Sequence, residues 1–200
     1  MYARVVMLTG LNDIDAAVEY LRETALPVVQ SQRGYKGMSA GADRSQGILG
    51  VLSLWETAAD RDASDSALAK VREDARNQLG GSLTVESVEQ LAVQMSKPPT
   101  VGNALALTRI SMDPARVAEN VEFFKNEIIP KVSSAPGFRS MRNLINPETG
   151  EGLVSSVWDD EQSRNAALEA TQALRDEIAA TRGVTFGERI LGEIVFTDLR

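Results

Sequence analysis

Apolar positions along this chain fall into short blocks whose periods predict strands and helices in a fixed order. Residues 2–8 are β-rich around Val5 and Val6 and stop before Gly10. Ile14, Ala17, Val18, Leu21, Ala25 and Val28 then recur at spacings of three and four, one face of a helix. Asn12 or Asp13 can cap its start, and Pro27 predicts a kink or an end nearby. Gly34 opens a second strand, about 35–42, and a third follows at about 48–56. The third is apolar on both faces in places, as expected of a strand covered on both sides. A second helix over 58–78 starts with Thr57 and Asp60 in a capping-box-like pair and carries a small-residue stripe of Ala63, Ala67, Val71 and Ala75. The last strand alternates, with Leu83, Val85, Leu91 and Val93 on one face.

The same pattern returns 103 residues later. Pro27, Val29, Ser31, Gly34 and Met38 match Pro130, Val132, Ser134, Gly137 and Met141. Val51, Ser53 and Trp55 match Val154, Ser156 and Trp158, which places the two tryptophans of the chain in register. At one ungapped offset, 17 of 97 positions are identical. The second copy adds clearer punctuation. Asp113-Pro114 reads as a helix cap followed by proline in the first turn, and Asn146-Pro147-Glu148-Thr149-Gly150 reads as a tight hairpin. A unit of this length is domain-sized and much longer than a solenoid repeat. The expected organisation is repeat one at 1–97, a linker at 98–102 led by Pro98-Pro99, and repeat two at 103–200.

Each repeat reads β-α-β-β-α-β, the ferredoxin-like unit with both helices on one face of a four-stranded sheet. The other face needs a cover. Two copies on a short tether predict an α+β protein in which the units pack sheet to sheet as an intrachain dimeric α+β barrel.

Composition then removes chemistry. The 200 residues contain no Cys and no His, so thiolate nucleophiles, zinc–thiolate sites and imidazole-based catalysis are absent. Net charge is −7, with 10 basic and 13 acidic residues in 1–97 and 11 and 15 in 104–200. Neither half offers the cationic footprint that nucleic acid or an anionic membrane requires. No apolar run approaches a membrane span, and the sequence reads as a soluble cytoplasmic protein. The acids Asp159-Asp160-Glu161 and Asp60, Asp62 and Asp65 sit at helix starts, where they complement the dipole rather than form a metal loop.

Ala135-Pro136-Gly137-Phe138-Arg139, the following hairpin and Ser156-Val157-Trp158-Asp159 resemble the antibiotic biosynthesis monooxygenase family. Repeat one matches more loosely through Gln32-Arg33-Gly34-Tyr35-Lys36 and Ser53-Leu54-Trp55-Glu56. The resemblance implies the dimeric α+β barrel, a pocket between sheet and helices in each unit, and an oxygenase of quinol- or anthrone-like aromatics that needs no cofactor. It also includes a haem-degrading branch, which uses a His that this chain lacks.

Candidate site residues follow. Trp55 and Trp158, with Tyr35 and Phe138 nearby, would wall a flat aromatic ligand or simply close the core. Arg109, a charge on a strand face shared with Leu105 and Leu107, would hold an oxyanion or pair with an acid. Asn143 and Arg142 are neighbours on opposite strand faces, and Asn143 would orient a carbonyl or dioxygen or satisfy backbone groups. Glu89 and Glu188, on the last strands, are candidate bases or edge residues. Two readings stay open: a small-molecule pocket protein acting on a small aromatic ligand, or a non-catalytic binding or interaction protein with the barrel as scaffold. Pairing into a homodimer beyond the intrachain pair is a further open point.

Overall fold

The computed structural model describes residues 1–199. Repeat one comprises β1 (Tyr2–Thr9), α1 (Ile14–Tyr20), α2 (Leu26–Gln30), β2 (Tyr35–Asp43), β3 (Ile48–Trp55), α3 (Ala58–Ala63), α4 (Asp65–Leu79) and β4 (Ser82–Met95). Repeat two follows with β5 (Ala104–Ser111), α5 (Val117–Phe123), α6 (Ile129–Ser133), β6 (Phe138–Ile145), β7 (Glu151–Trp158), α7 (Glu161–Ala170), α8 (Gln172–Arg182) and β8 (Thr185–Thr197). The chain is α+β, and β-α-β-β-α-β occurs twice. Hydrogen-bonded strands follow the order β1-β3-β2-β8-β5-β7-β6-β4 and close into a barrel.

Two compact units form, 1–87 with 192–199, and 88–191. In the first, β3 lies antiparallel between β1 and β2, and the end of β8 extends β2. In the second, β7 lies between β5 and β6, and the end of β4 extends β6. Each unit therefore includes the end of the other repeat's last strand.

The first helix does not stop at proline. A five-residue π turn, Leu21–Ala25, joins α1 to α2, and its counterpart Phe124–Ile128 joins α5 to α6. Both turns end directly before the segment that holds Pro27 or Pro130. A proline lacks the N–H for the usual bond and crowds the carbonyl four residues back, and one wider turn accommodates both defects.

The second helix is broken rather than continuous, at Ser64 in repeat one and Thr171 in repeat two. Ala63 and Ala67 consequently lie exposed, and Ser64, Leu68 and Ala75 face inward. The Thr57 cap forms as expected, accepting from the Asp60 N–H at 3.0 Å. In β4 a bulge at Leu91 shifts the phase, so Leu83 and Val85 do not share a face with Val93; Val88 and Ala92 are buried, and Val85 and Val93 are exposed.

Strand register corrects the ungapped alignment. Tyr2 stands opposite Trp55 and Ala104 opposite Trp158, so β1 and β5 correspond at an offset of 102. Repeat two carries one more residue before its helix, taken up by the 3-10 turn Pro114–Arg116 that Asp113 caps. Because side chains alternate along a strand, this single residue exchanges the faces assigned to β5.

Gly47 and Gly150 fix each hairpin to the strand end beside it. Both have positive φ, and a Cβ would lie 2.3 Å from the Leu11 carbonyl oxygen or 2.0 Å from that of Met112. The same contacts carry backbone hydrogen bonds, Leu11 N to Gly47 O and Met112 N to Gly150 O, each 3.0 Å.

Candidate functional site

Each unit has a cavity between its sheet and its helices, and the two differ. That of repeat two measures about 140 Å³ and that of repeat one about 80 Å³. The larger is of the size that admits an aromatic ring.

Its floor is the helix-facing side of β5, β6 and β7: Ala106, Thr108, Met141, Asn143, Val154 and Ser156. Helices contribute Asn120, Phe124, Thr171, Leu174 and Arg175, and β8 contributes Phe186 and Arg189. Asn143 is 3% exposed, and its side-chain oxygen has no hydrogen-bond partner. The Asn120 oxygen is likewise buried without a partner, although its amide reaches the Arg182 carbonyl at 3.4 Å. Most buried polar groups are paired, so two open acceptors in one apolar cavity are a departure from the usual condition. The lining contains no carboxylate, amine or phenol, only the guanidiniums of Arg175 and Arg189.

Arg189 is partly buried, and its Nε donates to Thr108 Oγ1 at 3.3 Å. Burial, with the neighbouring Arg175 adding to it, lowers its pKa from the usual guanidinium range. Arg175 lies 4.7 Å over the Phe186 ring. Among the described residues neither arginine makes an ion pair.

Repeat one fills the corresponding space with its own side chains. Arg4, 3% exposed, projects among the cavity residues and donates to Ser64 Oγ at 2.8 Å and to the Arg61 carbonyl at 2.9 Å. Asp65 Oδ1 lies 3.3 Å from Arg4 and 2.7 Å from Arg72. One carboxylate thus serves both arginines of that cavity. Burial lowers the Arg4 pKa, and Asp65 opposes that shift.

The sequence-predicted residues are placed as follows. Trp55 and Trp158 are fully buried in the core clusters and line neither cavity. Each indole donates to the serine two residues before it, Ser53 or Ser156, at 3.0 Å. Each ring also meets an aromatic edge-on, Tyr35 at 6.1 Å and Phe138 at 5.5 Å between centroids. The Tyr35 hydroxyl donates to Asp198 at 2.8 Å, and burial with that hydrogen bond pushes its pKa up. These four residues build the core beside the cavities.

Arg109 lies on the face of β5 opposite to Ala106, Thr108 and Ile110, so the one-residue register difference takes it away from the cavity. By register, Arg4 of β1 corresponds to Ala106. Arg142 also faces away from the cavity and donates to Gln90; burial lowers its pKa. Glu89 sits opposite Ile145 at the β6 edge, and Glu188 is exposed. Of the candidates, only Asn143 lines the repeat-two cavity. Sequence reading missed Asn120, Arg175 and Arg189; the available signal was Leu168, which stands where repeat one has Asp65.

Fold and cavity define a tandem ferredoxin-like α+β barrel with one enlarged sheet–helix pocket. No family model matches the chain. It is similar to the uncharacterised proteins Rv2557 and Rv2558 of Mycobacterium tuberculosis. The first is 27% identical over 178 residues, 86% of this chain and 80% of the relative. The second is 26% identical over 169 residues, 82% and 72% respectively. Among solved structures, an anthrone oxidase-like protein superposes with a TM-score of 0.69 at 15% identity, covering 98% of this chain and 92% of the other. A ferredoxin-fold protein of Listeria monocytogenes related to antibiotic biosynthesis monooxygenases gives 0.54 at 13%, covering 96% and 93%. At these identities the likeness establishes the fold.

Proposed function

We propose that the repeat-two cavity is a small-molecule site, and that the protein oxidises an electron-rich, quinol- or anthrone-like aromatic compound without a cofactor. Repeat one serves as its structural partner. The observation that carries this reading is Asn143, a buried amide with an open acceptor facing an apolar cavity. A hydroxyl or N–H of a ligand would satisfy that acceptor, and no group among the described residues does. The solved structures of like fold, an anthrone oxidase-like protein among them, support the reaction class by analogy only.

The lining sets a condition on the chemistry. No side chain there takes a proton near neutral pH, so the substrate must ionise itself, with the guanidiniums stabilising the anion formed. The carbanion or phenolate then gives its electrons to dioxygen. A ring CH₂ becomes a carbonyl, one oxygen atom entering the product and the other leaving as water. The protein positions the ring and keeps bulk water out.

Oxygen uptake with a hydroxyanthrone tests this. The expected result is a rate above autoxidation that is lost in Asn143→Leu and in Ala106→Leu. Binding with uptake no faster than the protein-free background removes the oxygenase reading and leaves a binding protein.

A further inference from the structure

Resting on that pocket reading, the geometry points to its ligand class: an organic anion whose ring enters the repeat-two cavity and whose carboxylate, or a similar fixed anionic group, sits between Arg175 and Arg189.

Repeat one shows what this fold does with two arginines at such a place. Arg4 and Arg72 are both tied to Asp65 Oδ1, at 3.3 and 2.7 Å. Arg72 and Arg175 correspond along the repeat, as do Asp65 and Leu168. Leu168 itself lines the larger cavity, so the position that carries the counter-charge in repeat one is apolar in repeat two. Arg189 in turn stands where repeat one has Glu86. Along the repeat, then, one acid is lost to leucine and another is reversed to arginine.

Two adjacent guanidiniums without a counter-ion are costly where water is partly excluded. Carboxylates are not scarce in this chain, which has 28 acidic against 21 basic residues. Other arginines of the same unit find them: Arg139 meets Asp159 at 2.6 Å and Arg182 meets Glu119 at 2.8 Å. The Phe186 ring holds Arg175 in place without neutralising it. A ligand carboxylate would take the part that Asp65 plays in repeat one, with the planar fork of arginine suited to it. The ring would then reach inward to the buried end of the cavity, where Asn143 and Asn120 offer acceptors to a hydroxyl. Expected ligands are therefore hydroxylated aromatics of the proposed class that also carry a carboxylate.

Calorimetric titration at pH 7 with naphthalene-2-carboxylate and with naphthalene-2-ol separates the possibilities. The carboxylate is expected to bind at least tenfold more tightly than the alcohol. That preference should vanish in Arg175→Gln, in Arg189→Gln and in Leu168→Asp, the last supplying the missing carboxylate from the protein itself. Circular dichroism spectra and urea midpoints of the three variants close to those of the wild type separate neutralisation from loss of fold. Equal binding of both probes to the wild type overturns the anion inference and leaves the pocket standing. Binding of neither overturns the pocket reading and the inference with it.

Discussion

Arg4 and Ala106 occupy the same place in their repeats, each paired across the sheet with the serine that holds its tryptophan, Ser53 and Ser156. Everything that distinguishes the two cavities starts from this exchange. An arginine there is buried and needs the Ser64 hydroxyl, the Arg61 carbonyl and Asp65. Repeat two has alanine and leucine, Ala167 and Leu168, at the positions of Ser64 and Asp65, and the space stays open. Arg4→Ala is expected to cost about 2–3 kcal/mol, from a new void and the loss of the hydrogen bonds to Ser64 and Arg61. Urea unfolding measures it, and a change below about 0.5 kcal/mol would show that Arg4 does not hold repeat one together.

Filling the repeat-two cavity should separate binding from folding. Ala106→Leu adds apolar volume to the cavity floor and is expected to gain about 0.5–2 kcal/mol of stability. Ligand affinity should fall at least tenfold. A stable variant that still binds with wild-type affinity would place the ligand elsewhere.

Asn143→Leu makes a sharper case, because a polar group that satisfies nothing in the protein lowers its stability. Removing the unpaired amide for an apolar side chain of similar size should raise stability by about 1–2 kcal/mol while weakening the ligand. Loss of stability instead would mean that Asn143 has a structural partner, and its claim as a site residue would fall.

The two tryptophans show how far the sequence could be read. Their register, the proline–glycine punctuation and the helical stripes are local signals, and they specify two copies of one fold. A tryptophan at a strand end reads equally well as pocket wall or core, since both are apolar surroundings. What decides is Ser156 and Phe138, which satisfy the indole N–H and cover the ring of Trp158. Arg109 was misplaced for another reason. Around residues 1–13 the repeats share almost no identities, so nothing in the sequence reveals the extra residue before the first helix of repeat two. One residue suffices to turn a strand face over. For Arg175 and Arg189 the one sequence signal, Leu168 in the place of Asp65, gains its meaning only once packing shows that Asp65 pairs with Arg72.

Trp158→Phe follows from the core placement. It should cost about 2–3 kcal/mol through the lost hydrogen bond and the void left by the smaller ring. Ligand affinity should move by less than threefold, because Trp158 does not line the cavity. Equilibrium unfolding and calorimetry on the same variant check both halves; a large affinity loss without a stability loss would return Trp158 to the pocket wall.

Acid sensitivity should reside partly in a turn far from the cavity. Asp43 is buried at the end of β2 and accepts from Ser45 N and Oγ and from Gln46 N and Nε2, at 2.7–3.1 Å. Burial alone would raise its pKa, but these four donors together outweigh it and hold the carboxyl below its ordinary value. A carboxyl depressed in the folded state contributes its full stabilisation above the unfolded value, about 3.9, and loses it as pH falls through the folded one. Asp43→Asn should therefore be less stable than wild type at pH 7, and the gap should shrink below about pH 4. The turn it braces leads into Gly47, which is bonded to Leu11, so the loss is expected to be cooperative with unit one rather than confined to the loop. Urea midpoints of both proteins from pH 7 to 2.5 provide the test, and a gap that stays constant to the lowest pH would show that Asp43 gains nothing from its donors as an anion.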